Sequence, residues 1–218
     1  MDTALTIILW IAGAGILYLA LGHLLHRLVF PEPRVELSGY FKPGDTFSSS
    51  MEGLRQTIVS HQGGRVFCRI ELEPHAPGPP VHLHRTFDET FVVKEGTLSL
   101  LVAGKTHELG AGEQFTVRRG IPHKPFNASG QPVIGEIGEP GFPEAFAVYL
   151  SQMYRFLDED QRNQKPPRML LQMSLFSRHL DSLLGEGPPP ALQRALFLVL
   201  APAARALGYR SFYEHYRV

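Results

Sequence analysis

The chain has 218 residues, 44% hydrophobic and 19% charged, and its 21 Lys and Arg are balanced by 21 Asp and Glu. That length and apolar content support one full domain with additions and exclude a disordered chain. The balanced charge, with no long run of one sign, leaves no electrostatic footprint for nucleic acid, and the single cysteine, Cys68, excludes an internal disulfide and a cysteine-based zinc cluster.

The first element is an apolar run from Thr3 to Gly22, 20 residues without a charge. As a helix it reaches about 30 Å, the thickness of a bilayer's hydrocarbon core. A cleaved signal would need a basic region before a shorter run, but Asp2 precedes this one and Arg27, Arg34 and Lys42 follow it. The pattern predicts an uncleaved transmembrane anchor over 1–30, with membrane contact through residues 3–22. The positive-inside rule then places Met1 outside and the remainder in the cytoplasm. Residues 31–50, with three prolines and a Gly/Ser bias, read as a linker.

From 51 to 142 short β-rich runs alternate with turn residues: TIVS, RVFCRIELE, ETFVVK, TLSLLV, QFTVRR and PVIGEI. Their succession predicts an antiparallel meander closing as a barrel or sandwich. Beyond Pro143 the apolar period changes to three and four residues, which predicts a helical region over 143–218. One helix carries Phe146, Tyr149, Leu150 and Met153, a second runs from Met169 towards Leu184, and a third begins at Ala191. In the third, Ala191 to Leu207 carries charge only at Arg194 and Arg205, with Pro202 interrupting its hydrogen bonds. It either packs on its neighbours or lies in the membrane interface beside the anchor.

Chemistry concentrates in VHLHRTFDETFVVKEG, residues 81–96. On a strand, His82 and His84 face one side with Cβ atoms about 7 Å apart, close enough to share an ion. Glu89 shares parity with Phe91 and Val93, so it faces inward, where an unpaired carboxylate is costly unless a cation or hydrogen bonds compensate. A second context, GEQFTVRRGIPHKPFN, takes a strand through a glycine turn to His123.

Together, His82-x-His84-x4-Glu89-x6-Gly96 and Gly112-x7-Gly120-x2-His123-x3-Asn127 resemble the two motifs of metal-binding cupins, over roughly residues 55–140. The resemblance implies a mainly β fold, a single cupin jelly-roll barrel, here with an N-terminal transmembrane helix and a C-terminal helical tail. It implies His82, His84, Glu89 and His123 as ligands to one divalent metal ion, iron, manganese, nickel or zinc. It also implies a homodimer through the barrel. Two positions depart from the pattern: Ala76 stands where a glycine is expected, with Gly78 nearer, and Arg118 replaces a proline.

Three histidines and one carboxylate leave two positions of an octahedral ion open. With iron this implies dioxygenase-type oxidoreductase chemistry on a small, largely apolar molecule, and with zinc an isomerase or lyase. Without turnover the domain is a small-molecule sensor. Parity from the ligands gives Phe91, Val93, Phe115 and Val117 as the substrate-binding wall, and Phe142 and Phe146 join it if the helical tail closes the mouth. Asn127 is expected to cap the turn after His123, Arg69 to lie on the surface, and His61, His75 and His107 to face solvent.

Overall fold

The computed structural model describes residues 2–29 and 32–218. Met1, whose side of a membrane was inferred above, falls outside them, as do Phe30 and Pro31 at the expected anchor boundary. Helix α1 (Thr3–Val29) is long and apolar enough to cross a membrane, and none of its side chains is buried.

Two sheets follow. The first is seven-stranded and contains β1 (Thr46–Ser49), β2 (Leu54–Gln62), β3 (Arg65–Leu72), β5 (Glu89–Glu95), β8 (Gln114–Val117), β10 (Val133–Ile137) and β11 (Phe142–Pro143). Its order is β1-β2-β3-β10-β5-β8, with β11 paired to β3. The second contains β4 (His82–Leu83), β6 (Leu98–Val102), β7 (Lys105–Leu109), β9 (His123–Phe126) and β12 (Leu183–Leu184), in the order β12-β4-β9-β6-β7. The expected meander is therefore a crossed topology, because β10 inserts between β3 and β5. Among the described residues no ladder joins the two sheets, so they face one another as an open jelly roll and not as a closed barrel.

Period-two burial builds this core. On β3, Val66, Cys68, Ile70 and Leu72 turn inward, while Arg69 and Glu71 pair at 3.3 Å on the surface. Each large apolar side chain so buried contributes about 1.5–3 kcal/mol.

The segment expected as a linker is part of this core. Tyr40, Phe41 and Phe47 are buried, Tyr40 packs edge-on against Phe41, and β1 pairs with β2. Proline and serine content obscured three aromatic anchors. The side chain of His61 is also covered, with its ring Nε2 3.1 Å from the Glu144 carboxylate, whereas His75 is exposed and His107 lies against Phe115.

The C-terminal layer contains α2 (Glu144–Glu159), α3 (Pro166–Phe176) and α4 (Pro190–Ala206). The second helix stops at Phe176, short of Leu184. Leu180, Leu183 and Leu184 keep a helical spacing, but Asp181 bonds the 85–86 backbone and Leu183 and Leu184 pair with β4. In α4, Pro202 has no N–H to offer the Leu198 carbonyl four residues earlier. His23 of α1 supplies the donor through Nε2 at 3.1 Å, and the Tyr18 hydroxyl donates to the Val199 carbonyl at 2.9 Å. Gly22 permits the approach, since a Cβ there would lie 2.5 Å from Pro202 Cβ.

Candidate metal centre

His82, His84, Glu89 and His123 converge, each offering a ligand atom within 4.8 Å of the others. Register explains this. His82 on β4 lies directly opposite His123 on β9, and Glu89 opens β5 on the facing sheet. The turn before His123 is tied to the first motif by the Gly120 N–H, which donates to the His84 carbonyl.

All three imidazoles are oriented the same way. Nδ1 of His82 lies 3.0 Å from the Pro80 carbonyl, Nδ1 of His84 2.6 Å from that of Asp181, and Nδ1 of His123 2.9 Å from that of Ile121. A carbonyl only accepts, so each Nδ1 carries the proton and each Nε2 is left as the ligating nitrogen. His123 Nε2 lies 2.8 Å from Glu89 Oε2. His84 Nε2 lies 3.3 Å from the same oxygen but is not aligned with it, which leaves a buried nitrogen without a hydrogen-bond partner.

The electrostatics agree for His82 and Glu89. Burial, reinforced by the neighbouring His84 and His123, lowers the His82 pKa to about 3, so His82 is a neutral base. Burial pushes the Glu89 carboxyl up, but the close contact with His123 and the nearby His84 outweigh it and hold the group below the usual carboxylate range. Burial likewise opposes charge on His123, and the Glu89 carboxylate raises its pKa in spite of that. The donor set fits a divalent cation: three fixed imidazole nitrogens, among them the orphaned His84 Nε2, and one ionised carboxylate meet at one point.

The cluster opens into a cavity of about 170 Å³ that His82 and Glu89 line and whose wall is otherwise mostly apolar. Phe91 lines this cavity, but Val93, Phe115 and Val117 are not among its lining residues. Parity gives the face a side chain occupies, not which side of its strand the space lies on. The cavity extends from β5 over Ile137, Ile70 and Gln56, away from edge strand β8, which carries Phe115 and Val117. Val93 lies further along β5, fully buried.

The helical tail closes the opposite side, with Phe142, Phe146, Met153 and Tyr154 among its contributions. The Phe146 ring meets His84 edge-on at 4.9 Å, and Phe87 stacks on that imidazole at 4.3 Å while lying 4.9 Å from Phe146. Two groups escaped sequence reasoning. Asp181 accepts from the Arg85 and Thr86 N–H groups at 2.8 and 2.7 Å while its carbonyl fixes His84. Glu52 lines the cavity, accepts the Tyr154 hydroxyl at 2.7 Å, and has its pKa raised to about 7 by burial. No local spacing marked either residue. Asn127 caps its turn by accepting from the Ser129 N–H at 3.0 Å.

Residues 68–134 match the cupin domain family, and the fold of this segment is a cupin fold. The chain is similar to the structure of KdgF from Halomonas sp., at 19% identity over 42% of this chain and 82% of that one, with a TM-score of 0.37. It is similar to an RmlC-like cupin from Shewanella frigidimarina at 22% identity, covering 43% of this chain and 82% of that one, TM-score 0.38. It is also similar to the polyketide cyclase RemF from Streptomyces resistomycificus at 23% identity, over 48% and 76% of the two chains, TM-score 0.39. No curated protein sequence matches it.

Proposed function

We propose that this chain is a membrane-anchored cupin that binds one divalent metal through His82, His84, Glu89 and His123 and oxidises a small, largely apolar organic molecule with dioxygen. The observation that carries this reading is the shared orientation of the three imidazoles, each with Nδ1 against a carbonyl, beside a mostly apolar cavity. A redox-active metal held there would supply oxygen activation next to a coordinated substrate.

The protein's own groups then divide the work. Asp181 and Ile121 hold two imidazoles in the ligating tautomer through their carbonyls, and Glu89 contributes negative charge. Phe91, Phe142 and Phe146 exclude water from the reacting end. Glu52 holds a proton on the cavity wall near neutral pH. A dry cavity of about 150 Å³ accommodates benzene, so a space of about 170 Å³ favours a single-ring phenol, catechol or enol. The length and exposure of α1 support an anchor through residues 3–22, with the domain on the cytoplasmic side.

The test is purification with the metal retained, elemental analysis, and oxygen uptake against single-ring phenolic and enolizable compounds. About one metal per chain is expected, lost in His84→Ala and in Glu89→Gln, with uptake that depends on the metal. Metal-independent folding with no bound metal at neutral pH refutes the site. Tight ligand binding without oxygen uptake makes the domain a sensor.

A further inference from the structure

Where α1 leaves its apolar run, a groove of about 890 Å³ opens between α1, the end of α3 and α4. Five arginines line it: Arg27, Arg85, Arg178, Arg194 and Arg205. Only two acids face them. Asp181 is engaged by Arg85 at 3.2 Å, and Glu32 by Arg205 at 2.7 Å and by His26 at 3.1 Å. Arg27, Arg178 and Arg194 are exposed and have no ion-pair or hydrogen-bond partner among the described residues. The groove thus holds three more arginines than acids.

Arg205 brings unmet donors to the groove. Its side chain is 10% exposed, and Nη2 is taken by Glu32, yet Nε and Nη1 are buried without a hydrogen-bond partner. Leaving two guanidinium nitrogens unmet costs free energy that an anionic oxygen would recover. Guanidinium groups bind phosphate in a fork, and five around one groove exceed what two carboxylates satisfy.

The position names the source of that anion. Arg27 lies five residues beyond Gly22, about 8 Å along the helix, the depth at which hydrocarbon gives way to headgroups. Beside the groove α4 exposes Leu192, Leu196, Leu198 and Val199, and α4 is locked to α1 through Tyr18, Gly22 and His23. The apolar surface of the anchor therefore continues onto α4, directly below the basic groove.

We propose that this groove binds the headgroup of an anionic phospholipid, its phosphate against Arg178, Arg194 and Arg205 and its acyl chains along α1 and α4. The assignment rests on α1 lying in a bilayer and on no part of the metal reading. It makes α4 a helix of the membrane interface.

The experiment uses the full chain in neutral detergent, titrated with phosphatidylglycerol, phosphatidylcholine or inorganic phosphate, with binding read by native mass spectrometry and thermal shift. Phosphatidylglycerol is expected to bind tightest and raise the unfolding temperature. Each arginine near an anionic headgroup is worth about fivefold in affinity, so Arg178→Gln with Arg194→Gln should weaken it about 25-fold. Arg178→Lys with Arg194→Lys should retain most of the preference, because lysine keeps the charge, and this pair serves if the glutamine pair is poorly folded. Metal content should be unchanged in both pairs, which separates loss of the groove from loss of the metal centre. Equal binding of phosphatidylcholine, inorganic phosphate binding as tightly as the lipid, or an undiminished preference in the glutamine pair overturns the proposal.

Discussion

Replacing Glu52 by Gln should make the protein more stable at alkaline pH and leave it unchanged in acid. Glu52 is 2% exposed and its pKa is raised from 4.5 to about 7, principally by burial and further by the nearby Asp158 charge, against the Tyr154 hydrogen bond. Below the unfolded value both states hold the proton and the carboxyl is neutral. As pH rises between about 4.5 and about 7, the unfolded chain releases that proton while the folded chain retains it, so stability falls. Above the folded value the fold carries a buried charge. The shift is worth about 3 kcal/mol when converted at 1.36 kcal/mol per unit. Glutamine stays neutral throughout and its carbonyl still accepts from the Tyr154 hydroxyl. Urea unfolding of both proteins from about pH 5 to about pH 8.5 should give curves that coincide in acid and diverge to about 3 kcal/mol, with the variant more stable. The difference cancels every other titrating group. Parallel curves would refute the reasoning, because Glu52 would then titrate alike in folded and unfolded chains.

Three further outcomes follow from the same geometry. Asp181→Ala removes the acceptor of the Arg85 and Thr86 N–H groups that positions His84, so metal affinity measured by competition with a chelator should fall about 10- to 100-fold with all four ligands intact. Gly78→Ala places a Cβ 1.9 Å from the Pro125 carbonyl oxygen at a φ of +66°, and should cost about 3 kcal/mol or more in unfolding free energy. Phe146→Ala empties one wall of the cavity and should cost about 3–5 kcal/mol while shifting ligand preference, read by calorimetry, towards compounds larger than one ring.

The four converging side chains were legible because each sits in a local pattern: a period-two pair, a parity-defined inward acid, and a histidine after a glycine turn. The strand inventory was half legible. Long runs such as 65–72 announced themselves, but β4 and β12 are two residues each and form through long-range pairing, β12 with β4 across about a hundred residues and β4 also with β9. The same distance hid Asp181. The neighbouring Leu180, Leu183 and Leu184 keep a helical spacing, and the bonds from 85 and 86 to Asp181 draw the segment into a loop. Tyr40 and Phe41 were overlooked because turn-rich composition describes local flexibility and says nothing of what an aromatic finds to pack against.

These long-range ties also define what the functional unit is. The stretch that matches the cupin domain family ends at residue 134, yet His84 is oriented by a carbonyl at 181 and flanked by Phe146. The cavity needs α2 and α3 for its wall, and β4, which carries His82, has β12 as its outer neighbour. α4 then carries this assembly onto α1 through the Leu198 carbonyl, which Pro202 leaves without its helical donor, and the Val199 carbonyl, which accepts from Tyr18. The same 177–183 segment lies against His84 on one side and contributes Arg178 and Asp181 to the basic groove on the other. The metal centre and the basic groove therefore share a structural element even though their ligands differ.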